Sequence, residues 1–414
     1  MRILKAVLRI TFVVFVSLVL LTSKGGLHLS HVEELAKAHL YSLVQWEFEN
    51  FLDKWTYRTG LLLPGGSIDD QANVDVVLEY FQLREREREL EQAVQEARDS
   101  LQVDEGGFSD ALEAELAQVE TARGKIRDRV EEVVEGEIDS IVTDERLGVG
   151  GLIRALGIHF PPVDFRLEPS PRLLVVSPRD HIEMSDGILL TPDITVEEME
   201  VLEERVLRER DQSALVEGIG GVATYPAVVS PDFSLRGTLI TAAHEWLHHY
   251  LFFQSLGQTY GRDSIMTSLN ETLATIFGRE VGELAYRKFE VDQAATAIPQ
   301  QVEPPLLVKD EFDFRLEMHT TRLMVEELLE QGEIEEAEQY MEERRQFLAN
   351  NGYYIRKLNQ AYFAFHGTYA DSPASISPIY NQLSALRAAS PSLGDFVKAV
   401  AAVSSYDEFL ELLD

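Results

Sequence analysis

The chain has 414 residues, 45% of them apolar, which is enough material for two or three domains with packed cores. Its 71 acidic and 37 basic residues give a formal net charge of −34, and a surface of that charge repels phosphate backbones, which argues against nucleic acid as a partner. There is no cysteine, so disulfides and thiolate metal ligands are excluded and any metal site must use histidine and carboxylate.

The amino terminus carries a basic flank followed by an apolar segment. Arg2, Lys5 and Arg9 precede the apolar run 10–21, a pattern typical of a signal peptide or a retained signal anchor. No small-x-small cleavage site follows, and the segment counted from Ala6 is about long enough to span a bilayer. The sequence therefore predicts a membrane-anchored protein whose body is extracytoplasmic, or a secreted protein if the leader is cleaved.

Two long helices are predicted after an amphipathic helical stretch over 30–56. Apolar residues recur at three- and four-residue steps from about Asp70, and again from Leu112 onwards. The glycine pair at 106–107 separates the two helices, so together they form an antiparallel helical hairpin. We interpret the hairpin as a scaffold, and the alternative is an arm that gates substrate or binds a partner.

Short strands and one helix are predicted next. The run 173–176 is predicted as a buried strand, 182–190 as a hairpin or second strand, and 196–212 as a helix. The glycine-rich stretch 218–226 is predicted as an edge strand, because Pro226 cannot donate to a central one. Such an edge could pair with the extended backbone of a substrate. The alternative is that the strand has only a structural role, with glycines that allow close packing.

The next predicted helix contains the run HEWLHH, in which His244, Glu245 and His248 form the H-E-x-x-H signature of zinc sites. Two histidines four positions apart lie on one helical face, so both imidazoles can reach a single ion. Glu245 sits beside the first of them, where it can take a proton from the attacking water.

The helix after the motif is predicted to supply a third ligand. Asp263 is a plausible cap for this helix, and Glu271 within it can be brought over the face that carries both histidines. His249 is the alternative, but its side chain points about 100° away from that of His248. The predicted metal ligands are therefore His244, His248 and Glu271, with one position left for water.

The run HEWLHH followed by LNETLATIFG resembles the gluzincin metallopeptidases, whose pattern is H-E-x-x-H with a glutamate ligand from a later helix. NETLAT is also similar to the N-E-S-F-A element of a bacterial group of predicted aminopeptidases, and LNQAYFAFHGTYAD is loosely similar to the same group. The resemblance implies a mostly helical α+β fold with a zincin-like core, in which the motif and glutamate helices pack on a small twisted sheet whose edge strand binds substrate. The predicted order of elements over 171–290 agrees with it.

The same resemblance implies a zinc ion as cofactor and Glu245 as the general base that passes a proton to the leaving amine. A further donor should stabilise the oxyanion. The candidates beyond the glutamate helix are His366 and Tyr362, followed by His319 and Tyr369.

One position departs from the gluzincin pattern. Many gluzincins carry an aspartate where this chain has Thr275, and there it orients a zinc-bound histidine. A hydroxyl can still bond an imidazole but cannot stabilise its charge as a carboxylate does. We expect either reduced activity or a carboxylate supplied from elsewhere in the fold.

The sequence thus predicts a membrane-anchored zinc metallopeptidase acting on peptide or protein substrates. The alternatives are a catalytically weak or inactive binding or assembly module that uses the helical arm, and a zinc hydrolase of non-peptide amides or esters. The chain is predicted to divide into a leader over 1–24, a helical arm over 25–160, a catalytic core over 161–298, and a helical region over 299–414 that completes the cleft.

Overall fold

The computed structural model describes residues 29–47, 70–99, 108–148, 160–295 and 312–413. Over these residues the protein is mostly helical with two small three-stranded sheets, which confirms the predicted α+β class. The leader over 1–24 and the prolines predicted as a linker at 299–305 lie outside the described residues.

The amino-terminal segment is not one continuous helix. It forms α1 (His31–Leu35) and a short 3₁₀ turn (Lys37–His39), and then an isolated bridge joins Leu40 to Leu190. The predicted helical stretch over 30–56 is therefore interrupted at Leu40, because the main chain there pairs with a strand instead of continuing its own helix.

The predicted helical hairpin is present as α2 (Asp70–Asp99) and α3 (Phe108–Asp144), which pack against each other. Their apolar residues belong to the main hydrophobic core. The buried carboxylate of Glu131 on α3 accepts the N–H of Leu167 at 2.8 Å, so the hairpin is tied to the first strand of the core.

The prediction of a membrane-anchored, extracytoplasmic protein is wrong for the part of the chain that the structure describes. None of its helices there is both long enough and apolar enough to cross a membrane. Crossing needs about 20 consecutive apolar residues, whereas the long helices α2 and α3 carry charged side chains throughout. The predicted anchor itself lies outside the described residues, and the expected location rested on that anchor.

The strands form two sheets, and their bounds are β1 (Phe165–Leu167), β2 (Arg172–Pro178), β3 (Asp186–Leu190), β4 (Gln212–Gly218), β5 (Gly221–Val222) and β6 (Ala227–Val229). One sheet has the order β3-β2-β4 and is antiparallel; the other has the order β1-β6-β5, with β1 and β6 parallel. The glycine-rich stretch therefore supplies an edge strand, β5, as predicted. Pro226 lies just before the central strand β6 rather than in the edge strand.

The predicted helix after β3 is α4 (Val196–Arg210), closed at its start by a capping box on Thr195. The motif helix is α5 (Leu235–Leu251), and after the short α6 (Ser255–Gln258) comes the glutamate helix α7 (Ser264–Ala295). Asp263 does cap α7, since its Oδ1 accepts the N–H of Met266 at 2.7 Å.

Helices α5 and α7 cross at two glycines. A Cβ added to Gly278 would lie 2.7 Å from the carbonyl oxygen of Ile240, and one added to Gly282 would lie 2.8 Å from the Cα of the same residue. Only glycine lets the two backbones approach this closely. The crossing brings the ligand-bearing part of α7 onto the histidine face of α5.

The carboxyl-terminal region is helical, as predicted. Its helices are α8 (Phe314–Glu330), α9 (Ile334–Asn350), α10 (Gln360–His366), α11 (Ile379–Ala389), α12 (Leu393–Ala401) and α13 (Tyr406–Glu411). Gly332 follows the end of α8 and Gly352 follows the end of α9, with φ values of +79° and +91°. Helix α10 packs on the face of β2 that carries Leu173 and Val175, while α4 packs on the opposite face.

Candidate metal centre

Three predicted ligands from two helices meet at one point. Nε2 of His244 and Nε2 of His248 are 3.1 Å apart, and Oε2 of Glu271 lies 3.4 Å and 3.5 Å from them. The histidines share one face of α5, and α7 brings the glutamate over that face. These are the residues of the described chain that could hold a metal ion as a cluster.

The spacing of these atoms suits a small ion with tetrahedral geometry. Bonds of about 2.05 Å at tetrahedral angles put neighbouring ligand atoms roughly 3.3 Å apart, which is close to the distances of 3.1–3.5 Å found here. Nδ1 of His248 faces the amide oxygen of Asn270 at 3.0 Å and can donate its proton there, so in the neutral ring Nε2 is the nitrogen whose lone pair could bind a metal ion. The residues therefore fit a zinc ion, and the same donor set also suits other first-row divalent metals.

The charges in the cluster also suit a cation. Burial opposes ionisation of Glu271, yet the adjacent histidines hold the pKa of its carboxyl well below the usual value. Burial likewise opposes protonation of His248, but the Glu271 carboxylate raises the pKa of that imidazole to about 9. The Glu271 carboxylate thus stabilises positive charge at this point, either a proton on the imidazole or a bound cation.

Two further side chains orient the ligands, and sequence reasoning missed the role of both. Asn270 bonds His248, as described above, and the hydroxyl of Tyr260 donates to Oε1 of Glu271 at 2.7 Å. Tyr260 lies in the connection between α6 and α7, where no periodicity or motif marks a residue in advance. Thr275 lines the cavity, while the bond to the His248 ring comes from Asn270 instead.

His249 is excluded as a ligand by its direction. Its Nε2 lies 2.7 Å from the carbonyl oxygen of Thr224, away from the cluster. Burial lowers the pKa of His249 to about 4, so its ring is neutral and donates this hydrogen bond. The residue fixes the main chain just after β5 to the motif helix.

The side chain of Glu245 extends from the motif helix α5 to the edge strand β5. Its side chain is buried, and a Cβ added to Gly221 of β5 would lie only 2.6 Å from its Oε1 and 2.9 Å from the carbonyl oxygen of Val228. Burial raises the pKa of the Glu245 carboxyl, with the nearby histidines acting against it. A carboxylate with a raised pKa, next to a cluster that can hold a metal, is the arrangement a general base needs.

The cluster and Glu245 open into a cavity of about 730 Å³. One wall is the continuous stretch 218–225, which includes β5. The part of α5 from Ile240 onwards and the connection to α7 form another wall, and the segment after α10 forms a third. The cavity is therefore large enough to hold several residues of an extended chain.

No family model, no curated protein and no solved structure matches this chain. What the site can do follows from its own donor atoms, distances and burial.

The two leading oxyanion candidates do not reach the cavity. Tyr362 and His366 lie one turn apart on α10, their rings 4.2 Å apart, and Nε2 of His366 is 3.4 Å from Glu217 on β4. His319 instead faces the carbonyl oxygen of Ser375 at 3.3 Å. The structure therefore places Tyr362 and His366 against the sheet and not among the residues that line the cavity, because α10 continues to His366.

Tyr369, the last of the four candidates, does line the cavity. The carboxylates of Glu271 and Glu245, together with burial, raise the pKa of its phenol well above the usual value. The group therefore stays protonated at neutral pH and can donate a hydrogen bond into the cavity.

Proposed function

We propose that the protein is a zinc-dependent peptidase of the gluzincin type. The observation that carries this proposal is the position of Glu245. Its carboxylate lies against the edge strand, near Gly221, and beside the cluster of His244, His248 and Glu271. A base, a set of metal ligands and a strand edge in one cavity are the parts that hydrolysis of a bound peptide requires.

Each part has a chemical task. Zinc, when bound by the three ligands, supplies Lewis acidity that polarises a carbonyl and lowers the pKa of water. Glu245 accepts the proton of the attacking water and gives it to the leaving amine, and its raised pKa suits both transfers. Tyr369 donates its phenolic hydrogen bond to the oxygen that becomes negative in the transition state.

The edge strand favours a peptide over a non-peptide amide or ester. Residues 218–225 form a continuous wall of the cavity, and among the strands that the structure describes β5 pairs with one neighbour, β6. An extended peptide can add to such an edge through its main-chain N–H and C=O groups, which places a scissile bond next to Glu245. The glycines at 218, 220 and 221 add no side chain to this wall of the cavity.

The order of helices and strands also supports the resemblance to the gluzincins that the sequence motif indicates. The strands precede the motif helix α5, and the glutamate helix α7 follows it and crosses it closely. In place of the usual carboxylate partner, the neutral amide of Asn270 bonds His248. We expect this partner to orient the ring well but to raise its basicity less than a carboxylate would.

Metal analysis of the purified chain and one substitution test the proposal. We expect about one zinc per chain, and we expect Glu245→Gln to keep that zinc while losing hydrolysis of a broad peptide library. A protein that binds no zinc under these conditions, or a Glu245→Gln variant that cleaves as fast as the wild type, contradicts it. An Asp232→Asn variant, at an exposed position just before α5, is the matched control that should retain activity.

A further inference from the structure

One end of the cavity is apolar. Leu173 of β2 and Leu189 of β3 are paired across the sheet, so their side chains lie next to each other on one face. A Cβ built on Gly187 would touch both Leu173, at 3.6 Å, and the sulfur of Met184, at 3.9 Å, so these two side chains meet over a glycine. All three side chains line the cavity that contains Glu245.

The amino-terminal segment supplies the fourth side of this end. Leu43 lines the cavity, and the chain on either side of it is fixed. On one side Leu40 bridges to Leu190, and on the other the buried carboxylate of Glu47 accepts the N–H of Tyr225 at 3.3 Å and the hydroxyl of Thr224. Leu43 is therefore held over the sheet by contacts at both ends of its segment.

We propose that Leu43, Leu173, Met184 and Leu189, the apolar subsite, bind a bulky apolar side chain of the peptide substrate. This inference rests on the peptidase function proposed above. The subsite is continuous with the metal centre, so an occupant held at the strand edge can extend one side chain into it. Met184 is 39% exposed at the subsite, so a bound side chain would remove apolar surface on both partners from water.

The charges at the site also favour an apolar side chain in the subsite. Glu245 and Glu271 line the cavity, and the basic groups that line it are paired, Arg279 with Asp371 at 2.6 Å and His248 with Glu271 at 3.5 Å. An acidic side chain in the subsite would lose its hydration and meet no free cation among the described lining residues. The subsite therefore selects leucine- or phenylalanine-like side chains against glycine and aspartate.

Peptide binding tests the subsite. It is measured with the zinc-loaded full chain carrying Glu245→Gln, so that bound peptides are not cleaved. The probes are pentaalanine peptides with Leu, Phe, Gly or Asp placed at each position in turn, measured by calorimetry. At one position we expect Leu and Phe to bind roughly tenfold or more tightly than Gly and Asp. Adding Met184→Glu should abolish most of this preference.

Met324→Glu is the matched control, since Met324 is also 39% exposed but lies on α8, away from the cavity. It should leave the preference unchanged. No binding, equal binding of the four peptides, or a preference that survives Met184→Glu overturns the subsite. If the preference is found but wild-type protein cleaves none of the peptides, the subsite stands and the proposed peptidase function fails.

Discussion

The hydroxyl of Tyr260 donates a hydrogen bond to Oε1 of Glu271 over 2.7 Å, so the other oxygen of that carboxylate is the one that faces the two imidazoles. Burial, followed by the Glu271 carboxylate, raises the pKa of the tyrosine, which therefore remains a donor at neutral pH. The bond fixes the rotation of the carboxylate and leaves Oε2 as the single ligand atom. A side chain outside the metal ligands thus sets their geometry.

Removing that bond should weaken the metal site. We expect Tyr260→Phe to lower zinc affinity roughly ten- to hundredfold, because Glu271 then loses the group that orients it. Competition with a chelator of known affinity measures the change. The control is Tyr362→Phe, because Tyr362 is a partly buried tyrosine on α10 that does not touch the cluster. Equal zinc affinity in the Tyr260→Phe and wild-type proteins would show that the bond has no positioning role.

Gly221 offers a test of the strand edge that leaves the ligands in place. A methyl group there would lie 2.6 Å from the Glu245 carboxylate and 2.9 Å from a backbone oxygen, so the base or the strand must shift. We expect Gly221→Ala to keep its zinc but to lose roughly a hundredfold or more in kcat/KM, because displacing a reacting group by about 1 Å costs this much. Peptide hydrolysis and metal content, measured on one sample, separate the two effects.

The control for this change is Gly124→Ala on α3, where an added Cβ meets nothing within 4 Å. It should leave both activity and zinc content unchanged. Full activity of Gly221→Ala would mean that β5 does not lie against the working position of Glu245.

The parts of the site that could be predicted from sequence are those that the spacing of residues along one helix determines. His244 and His248 share a helical face whatever surrounds them, and a capped helix soon afterwards places Glu271 within reach. The small residues Gly278 and Gly282 follow Glu271 on the same face of α7, and this spacing could have signalled the close crossing. Helices and strands with clear apolar periods were predicted for the same reason.

The parts that could not be predicted depend on where a helix ends and on contacts between distant segments. Helix α10 ends at His366, and this end directs Tyr362 and His366 at the sheet and leaves Tyr369, in the segment that follows, at the cavity. Tyr260 reaches the site from an irregular connection, and Leu43 reaches it from the start of a short helical turn that follows the bridge at Leu40. No short pattern specifies such positions, because tertiary packing determines them.

Tyr369 and Tyr362 form a matched pair for the oxyanion role. Both tyrosines are partly buried and their phenols have a raised pKa, but only Tyr369 has Glu271 and Glu245 among the charges that raise it. We expect Tyr369→Phe to lower kcat roughly a hundred- to thousandfold, which is the usual effect of removing one oxyanion donor, with zinc content unchanged. Tyr362→Phe should change kcat less than about threefold, since its side chain does not reach the cavity. Equal kcat values for the two variants would remove Tyr369 from the mechanism.

The crossing of α5 and α7 links the stability of the fold to the metal site. A methyl group at Gly282 would lie 2.6 Å from Cγ1 and 2.8 Å from Cα of Ile240, so Gly282→Ala must push the two helices apart. We expect the free energy of unfolding of the metal-free protein to fall by about 1–3 kcal/mol, as for other overpacked cores. Zinc affinity should fall as well, because His244 and Glu271 are carried by the separated helices.

Gly136→Ala on α3, where an added Cβ has open space, is the control for denaturant unfolding and chelator competition. A Gly282→Ala protein with wild-type stability would show that the helices can absorb the methyl group, and unchanged zinc affinity would then be expected too.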